Sequence, residues 1–320
     1  MIAWLFALVL LAACAPNAVR SPDRVLRKRS NHYTLINPIL DIEPTVEFHE
    51  LRPFKHQVQA LIKKLIEEKK VRQVSVYYRD LNNGPVLGID WNERFAPASL
   101  AKVPLLIACL DQAQDDPGFL ARRVRYEGMQ EFQTVTELEP VSSLEEGKEY
   151  TVEQLLEAMI SHSDNGATVA LAKVADGRNL NEVFTDLGLI VPDVRTPQDY
   201  MTVKEYATFF RMLYNASYLS RAMSQKALLM MTKSDFKLGL RAGVPAGVVV
   251  ANKFGERIAT EVGGLHQVHE CGVVYHPTDP YLLCVMTRGE SEVPLAYVIS
   301  DISRVVYQNV TRGRVSSTNR

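Results

Sequence analysis

The stretch Phe95-Ala96-Pro97-Ala98-Ser99-Leu100-Ala101-Lys102 runs straight into the apolar residues 103–110. A serine and a lysine three apart at the start of a helix share one face, within reach of proton transfer, and the helix N-terminus favours negative charge developing beside them. A serine hydroxyl is a poor nucleophile near neutral pH and needs a base. A lysine serves when burial or a second cation favours its neutral amine. Ser99 is therefore the candidate nucleophile and Lys102 its candidate base. The spacing alone is weak, because Ser234-Asp235-Phe236-Lys237 repeats it, and that second match is read as incidental. What selects Ser99 is the ordered set that follows it, Ser163-Asp164-Asn165 and then Lys253-Phe254-Gly255.

Working outward, Phe54, Val58, Leu61, Ile62, Leu65 and Ile66 fall at helical spacing after Pro53, which suits a first turn. Val74, Val76 and Tyr78 then alternate, Asn83-Gly84 offers a tight turn, and residues 86–89 resume strand character, predicting a β-hairpin. Residues 99–244 are helical by pattern. Residues 247–253, 267–275 and 281–287 read as three more strands, and Leu295, Val298, Ile299, Ile302, Val305 and Val306 mark a closing helix. Strands at both ends of the chain imply a sheet assembled from distant segments. The expected fold is thus α/β in the α+β sense: an antiparallel five-stranded sheet flanked by helices (residues 53–98 and 245–312) with an inserted all-helical subdomain (residues 99–244). Residues 313–320 read as a frayed tail.

The 320 residues are 47% hydrophobic with a formal net charge of −1, enough for a large core and without the field that would draw nucleic acid. Residues 1–13 are almost wholly apolar and too short to span a bilayer, which predicts an export signal. Leu11-Ala12-Ala13-Cys14 resembles a bacterial lipobox, which makes Cys14 the candidate lipidation site, residues 14–52 a lipidated N-terminus and linker, and the protein a membrane-anchored lipoprotein outside the cytoplasmic membrane or in the periplasm. The remaining cysteines, Cys109, Cys271 and Cys284, are odd in number and set in apolar sequence, so buried thiols are expected rather than a disulfide framework. His266 and His269 form an HxxH that does not share a helical face and lacks a third ligand, so no metal and no cofactor are expected. His162 reads as a surface or packing histidine.

The three motifs in order, with the segment 147–165 leading into Ser163-Asp164-Asn165, resemble class A β-lactamases and penicillin-binding D,D-peptidases over roughly residues 54–310. In the leading segment Thr151 and Gln154 form a capping box before a short amphipathic helix, so the polar triplet falls in the loop after it. The resemblance implies that Ser163 relays a proton to the leaving nitrogen and that Asn165 binds a substrate amide. It makes Lys253 face the cleft, where it helps keep Lys102 neutral and attracts an anionic substrate group. The backbone N–H groups of Ser99 and Glu256 form the implied oxyanion hole, Gly255 admits the substrate close to the strand, and Asp164 braces the loop. The implied partner is a β-lactam or a cell-wall peptide-like molecule, taken by a monomer.

Two departures matter. Between the helix at residues 181–187 and Thr202 there is no Glu to activate a deacylating water, and Phe254 replaces the usual Thr or Ser, with Glu256 following Gly255. Taken singly, Ser99 reads as an ordinary cap, Ser163-Asp164-Asn165 as a turn and Lys253 as a strand-end charge. Three functions follow: a β-lactamase-like serine hydrolase opening amides through an acyl-enzyme, a D,D-peptidase-like penicillin-binding protein with slow deacylation, or a catalytically weak lipoprotein that binds cell-wall peptide.

Overall fold

The computed structural model describes residues 34–36, 51–128, 138, 144–259 and 264–317. The export signal, Cys14 and the tail residues 318–320 lie outside them. Helix α1 (Arg52–Glu67) opens the domain with Pro53 in its first turn and buries Phe54, Val58, Ile62 and Leu65. Strands β1 (Gln73–Asp80) and β2 (Val86–Ile89) form the expected hairpin, but the register pairs Arg79 with Val86, which leaves a wider connection than a tight Asn-Gly turn. The Asp80 carboxylate closes it by accepting from the backbone N–H groups of Asn82 and Asn83.

The other sheet strands are β7 (Val250–Ala259), β8 (Leu265–Val274) and β9 (Tyr281–Gly289). Together the five run antiparallel in the order β2-β1-β9-β8-β7, so β1 pairs with β9 from the far end of the sequence and β7 is an edge. Strand β7 starts and ends later than the apolar run 247–253 suggests. Its ladder with β8 continues through Phe254, Gly255 and Glu256 to Ala259, because backbone pairing does not require apolar side chains.

Side-chain alternation divides the core in two. Leu283 and Val285 face α1 and the closing helix α9 (Glu292–Ser317), whose Leu295, Val298, Ile299, Ile302 and Val306 pack there. Leu282, Cys284 and Met286 face the inserted helices. Those are α2 (Lys102–Asp115), α3 (Val152–Ser161), α4 (Asn165–Ala172), α5 (Gly177–Asp186), α6 (Val203–Asn215) and α7 (Arg221–Thr232), whereas the short α8 (Gly239–Ala242) sets Leu240 into the core beside α9. The insert is not purely helical: β4 (Arg123–Arg125) pairs with β5 (Glu149–Thr151), and β3 (Arg94–Phe95) with β6 (Met201–Thr202).

Two further findings correct the sequence reading. Cys271 and Cys284 are direct register partners on β8 and β9 and are joined as a disulfide, while Cys109 stays a buried thiol whose pKa burial pushes up to about 12. Strand register decided that pairing, and register is not visible in cysteine spacing. Within the expected linker, Thr34-Leu35-Ile36 docks on the domain: Leu35 and Ile36 are buried, Leu35 N–H donates to Gln225 Oε1, and Tyr275 OH donates to the Leu35 carbonyl.

Candidate active site

Ser99 sits in a 3₁₀ turn (Ala98–Ala101) that feeds directly into α2. Ala98 holds a left-handed φ of 49°, Leu100 N–H donates to the Pro97 carbonyl at 2.9 Å, and the buried Tyr206 OH donates to the Leu100 carbonyl at 3.0 Å. The Ser99 turn is therefore fixed from both the chain side and the α6 side, with Ser99 itself partly exposed.

The second motif is placed by helix capping. Thr151 and Gln154 form the expected capping box at the start of α3, and the chain leaves α3 through Ser163, whose φ is 57°. Asp164 caps α4 by accepting from Ala167 N–H at 2.6 Å, and Tyr126 OH lies 3.2 Å from both its carboxylate oxygens. Gly166 is required there, since a Cβ would lie 2.7 Å from the Tyr126 hydroxyl. Asp164 thus braces the loop, as the resemblance implied.

Ser163 is the meeting point of both lysines. Lys102 Nζ donates to Ser163 Oγ at 3.1 Å, to the Ser163 carbonyl at 2.5 Å and to Asn165 Oδ1 at 2.6 Å. Lys253 Nζ lies 3.1 Å from the same hydroxyl and donates to the Phe254 carbonyl at 2.7 Å. Both lysines are buried, at 5% and 0% exposure. Gly255 touches the Ser99 turn: a Cβ on it would lie 2.8 Å from Leu100 N, 3.0 Å from Ser99 N and 3.1 Å from the Pro97 carbonyl oxygen. The structure therefore brings Ser99, Lys102, Ser163, Asn165, Lys253 and Gly255 together, with Glu256 next along β7. A hydroxyl in hydrogen-bond reach of two amines is a ready proton conduit.

Phe254 and Glu256, two apart, project to the other face of β7. Phe254 is 1% exposed and stacks on Phe236 with ring centroids 4.3 Å apart. The incidental second serine–lysine match is thus a packing partner of β7. Its Asp235 accepts from His162 at 2.5 Å, which makes His162 a structural histidine.

Sequence reasoning missed a polar relay that anchors the Ser99 turn. Gln267 Oε1 lies 3.2 Å from Ala96 N, whose N–H it accepts, and 3.1 Å from His269 Nε2, while Gln267 Nε2 donates to Asp199 at 3.1 Å. Arg288 holds the second Asp199 oxygen at 2.8 Å. Thr287 N–H donates to His269 Nδ1 at 3.2 Å, so the hydrogen sits on Nε2, and burial lowers the His269 pKa to about 3. The available signal was Gln267 and His269 at alternate, inward positions of a strand that also carries His266 and Glu270. His266 points to the opposite face, toward Glu292, and among the described residues no group of three or more His, Cys, Asp or Glu side chains is arranged to hold a metal. Behind β7, burial raises the Glu270 pKa to about 8 even though Leu240 N–H and the Asn252 amide donate to the carboxyl and Arg241 and Lys253 lie near.

The sequence profile of the β-lactamase enzyme family matches residues 54–310. The ROB-1 β-lactamases of Haemophilus influenzae and Mannheimia haemolytica are each 28% identical over 267 residues, covering 78% of this chain and 78% of theirs. Among solved structures, a PBP-A variant captured as an acyl-enzyme complex with penicillin G superposes with a TM-score of 0.66 at 21% identity, covering 82% of this chain and 97% of that one. The TLA-3 extended-spectrum β-lactamase gives 0.67 at 17% identity, covering 80% and 99%. The fold is that of β-lactamases and penicillin-binding proteins. The chain belongs to the β-lactamase enzyme family and is a serine β-lactamase-like hydrolase.

Proposed function

We propose that this protein opens amides, β-lactams among them, through an acyl-enzyme on Ser99. The observation that carries the reading is the Ser163 hydroxyl held 3.1 Å from both Lys102 and Lys253, beside the Ser99 turn. With one of its three contacts given up and its lone pair turned to Ser99, Lys102 as the neutral amine takes the proton of Ser99 Oγ while that oxygen bonds to the substrate carbonyl carbon. The resulting oxyanion is held by the N–H groups of Ser99 and Glu256. The carbon–nitrogen bond then breaks, and the leaving nitrogen takes a proton through Ser163 from the lysine pair. Asn165 orients the substrate amide, and Gly255 leaves room for it along the strand. Water finally cleaves the ester and returns the proton to Ser99.

Deacylation is the slow step in this reading, which favours the penicillin-binding variant over fast turnover. The loop of residues 188–200 contains no Glu, and its Asp199 carboxylate is engaged by Arg288 and Gln267. Lipidation at Cys14 is proposed to anchor the domain to a membrane outside the cytoplasm, with residues 15–33 as tether. Membrane association is then expected to vanish in Cys14→Ser.

The test is intact-mass analysis after incubation with excess penicillins, alongside Ser99→Ala and an assay of ring opening. A lasting adduct lost in Ser99→Ala is the expected result. Fast ring opening without an adduct shifts the reading to an efficient β-lactamase. If neither appears, the catalytically weak, peptide-binding alternative replaces it.

A further inference from the structure

Ser163 and Lys253 meet at 3.1 Å, yet one comes from the helical insert and the other from an edge strand of the sheet. Their separation therefore depends on what ties the insert to β7. Ser163 follows α3, whose last residue, Ser161, is bonded to the end of α7. Ser161 Oγ donates to the Met230 carbonyl at 3.0 Å, and Asp235 N–H donates to the Ser161 carbonyl at 3.0 Å. Thr232 is the last residue of α7. Its carbonyl lies 3.0 Å from Arg241 Nη2, which also lies 3.0 Å from the Val250 carbonyl and 3.3 Å from Asn252 Oδ1, both on β7. One guanidinium nitrogen thus bridges the helical turn and the strand.

The Val250 carbonyl belongs to the edge of β7 that the chemistry uses. Tyr275 N–H donates to the Val249 carbonyl, so Val250 and Val274 oppose each other without exchanging hydrogen bonds, and the Val250 carbonyl points off the open side of the sheet. The alternation of the ladder brings the Phe254 carbonyl, which accepts from Lys253, and the Glu256 N–H to that same edge. Arg241 is itself held from behind. The Asn252 amide donates to Glu270 Oε1 at 2.7 Å, and Leu240 N–H donates to Glu270 Oε2 at 2.7 Å, with Asn252 and Glu270 fully buried. Gly239, at a φ of 60°, leaves the room for this, since a Cβ there would run into Glu270 Oε2.

We propose that Arg241 is a positioning residue for acyl transfer: its bridge from the Thr232 carbonyl to the Val250 carbonyl sets the reach of Lys253 to the Ser163 hydroxyl. Arg241 acts through Lys253 and not on the substrate. This inference rests on the acyl-enzyme reading above.

The experiment follows Ser99 acylation by benzylpenicillin in intact-mass time courses over a range of concentrations, which separates the limiting rate from the half-saturating concentration. Arg241→Met removes the guanidinium and keeps an apolar stem. It is expected to lower the limiting rate by about 10²-fold, the scale of a misplacement of about 1 Å, with the half-saturating concentration changed by no more than about twofold. In the Lys253→Ala background the same substitution is expected to cost no more than about twofold further, because residues that act through one another are not additive. Arg241→Lys keeps the charge without the planar fork and is expected to lose about tenfold, so the same cycle run with it decides the matter if Arg241→Met does not fold. An unchanged limiting rate, or equal losses with and without Lys253, overturns the inference and leaves the acyl-enzyme reading in place. Absence of a Ser99-dependent adduct in the wild-type protein overturns both.

Discussion

On one face of β7, Lys253 and Gly255 look toward Ser163 and the Ser99 turn, and the contacts there are short and polar. On the other face, Phe254 is sealed against Phe236 and Ala296 and Glu256 is buried, so both belong to the packing behind the strand. Neighbouring residues on one strand therefore carry two different constraints. Chemistry tolerates little change because its distances are short and shared. The packed face answers to volume and burial instead, so a ring can stand there without touching the polar groups on the other side.

The sharpest way to break this comparison is to remove a lysine. Lys102→Ala and Lys253→Ala are each expected to slow Ser99 acylation by about 10³-fold, the scale of lost general acid–base assistance, while the circular dichroism spectrum stays native. An intact rate in either variant would detach Ser163 from the proton path. Gly255→Ala comes next. The new Cβ would press on backbone nitrogens at 2.8 and 3.0 Å rather than on a yielding side chain, so the Ser99 turn must shift, and acylation is expected to fall by about 10²-fold.

The two buried titratable groups on β8 sharpen the comparison through pH. Glu270 is raised from 4.5 to about 8 by burial, so its contribution to stability is full below pH 4.5 and is lost as the pH climbs to about 8. His269 is lowered from 6.5 to about 3 by burial, so its contribution is full above pH 6.5 and is lost as the pH falls toward 3. Together they predict stability that rises from pH 3, is flat between 4.5 and 6.5 where the two slopes oppose, and declines toward 8. Thermal melts of Glu270→Gln should lose the alkaline decline, a slope of about 1.4 kcal/mol for each pH unit, and retain the acid limb. The smallest effect is that of Gln267→Leu, which strands the buried Ala96 N–H and frees Asp199 from β8. A stability loss of about 1–3 kcal/mol is expected from chemical denaturation.

Much of the site was legible in the chain, because its elements are local. A serine before a helix, a capping box at Thr151 and Gln154, and a polar triplet at a helix boundary each follow from residues a few positions apart, and their order along the chain joined them. The short loop without Glu and the odd residues Phe254 and Glu256 could be read the same way. What escaped was set by strand pairing and burial. Gln267 looked like one polar residue in a strand until register put it against Ala96 and the loop of Asp199. Ser234-Asp235-Phe236-Lys237, already read as incidental from the sequence, gained its structural role only when Phe236 was seen stacked on Phe254.

By itself, then, the sequence determined most of the order of elements, the serine and lysine motifs and the identity of the groups that depart from the family pattern. Periodicity, capping and spacing act over short stretches, and the chain spells them directly. Only the tertiary structure decided that Cys271 bonds Cys284, that Leu35 docks far from its neighbours in sequence, and that Lys102 and Lys253 share one hydroxyl. Each of these depends on which strand or helix face meets which, and a shift of one residue in register sends every side chain to the opposite face.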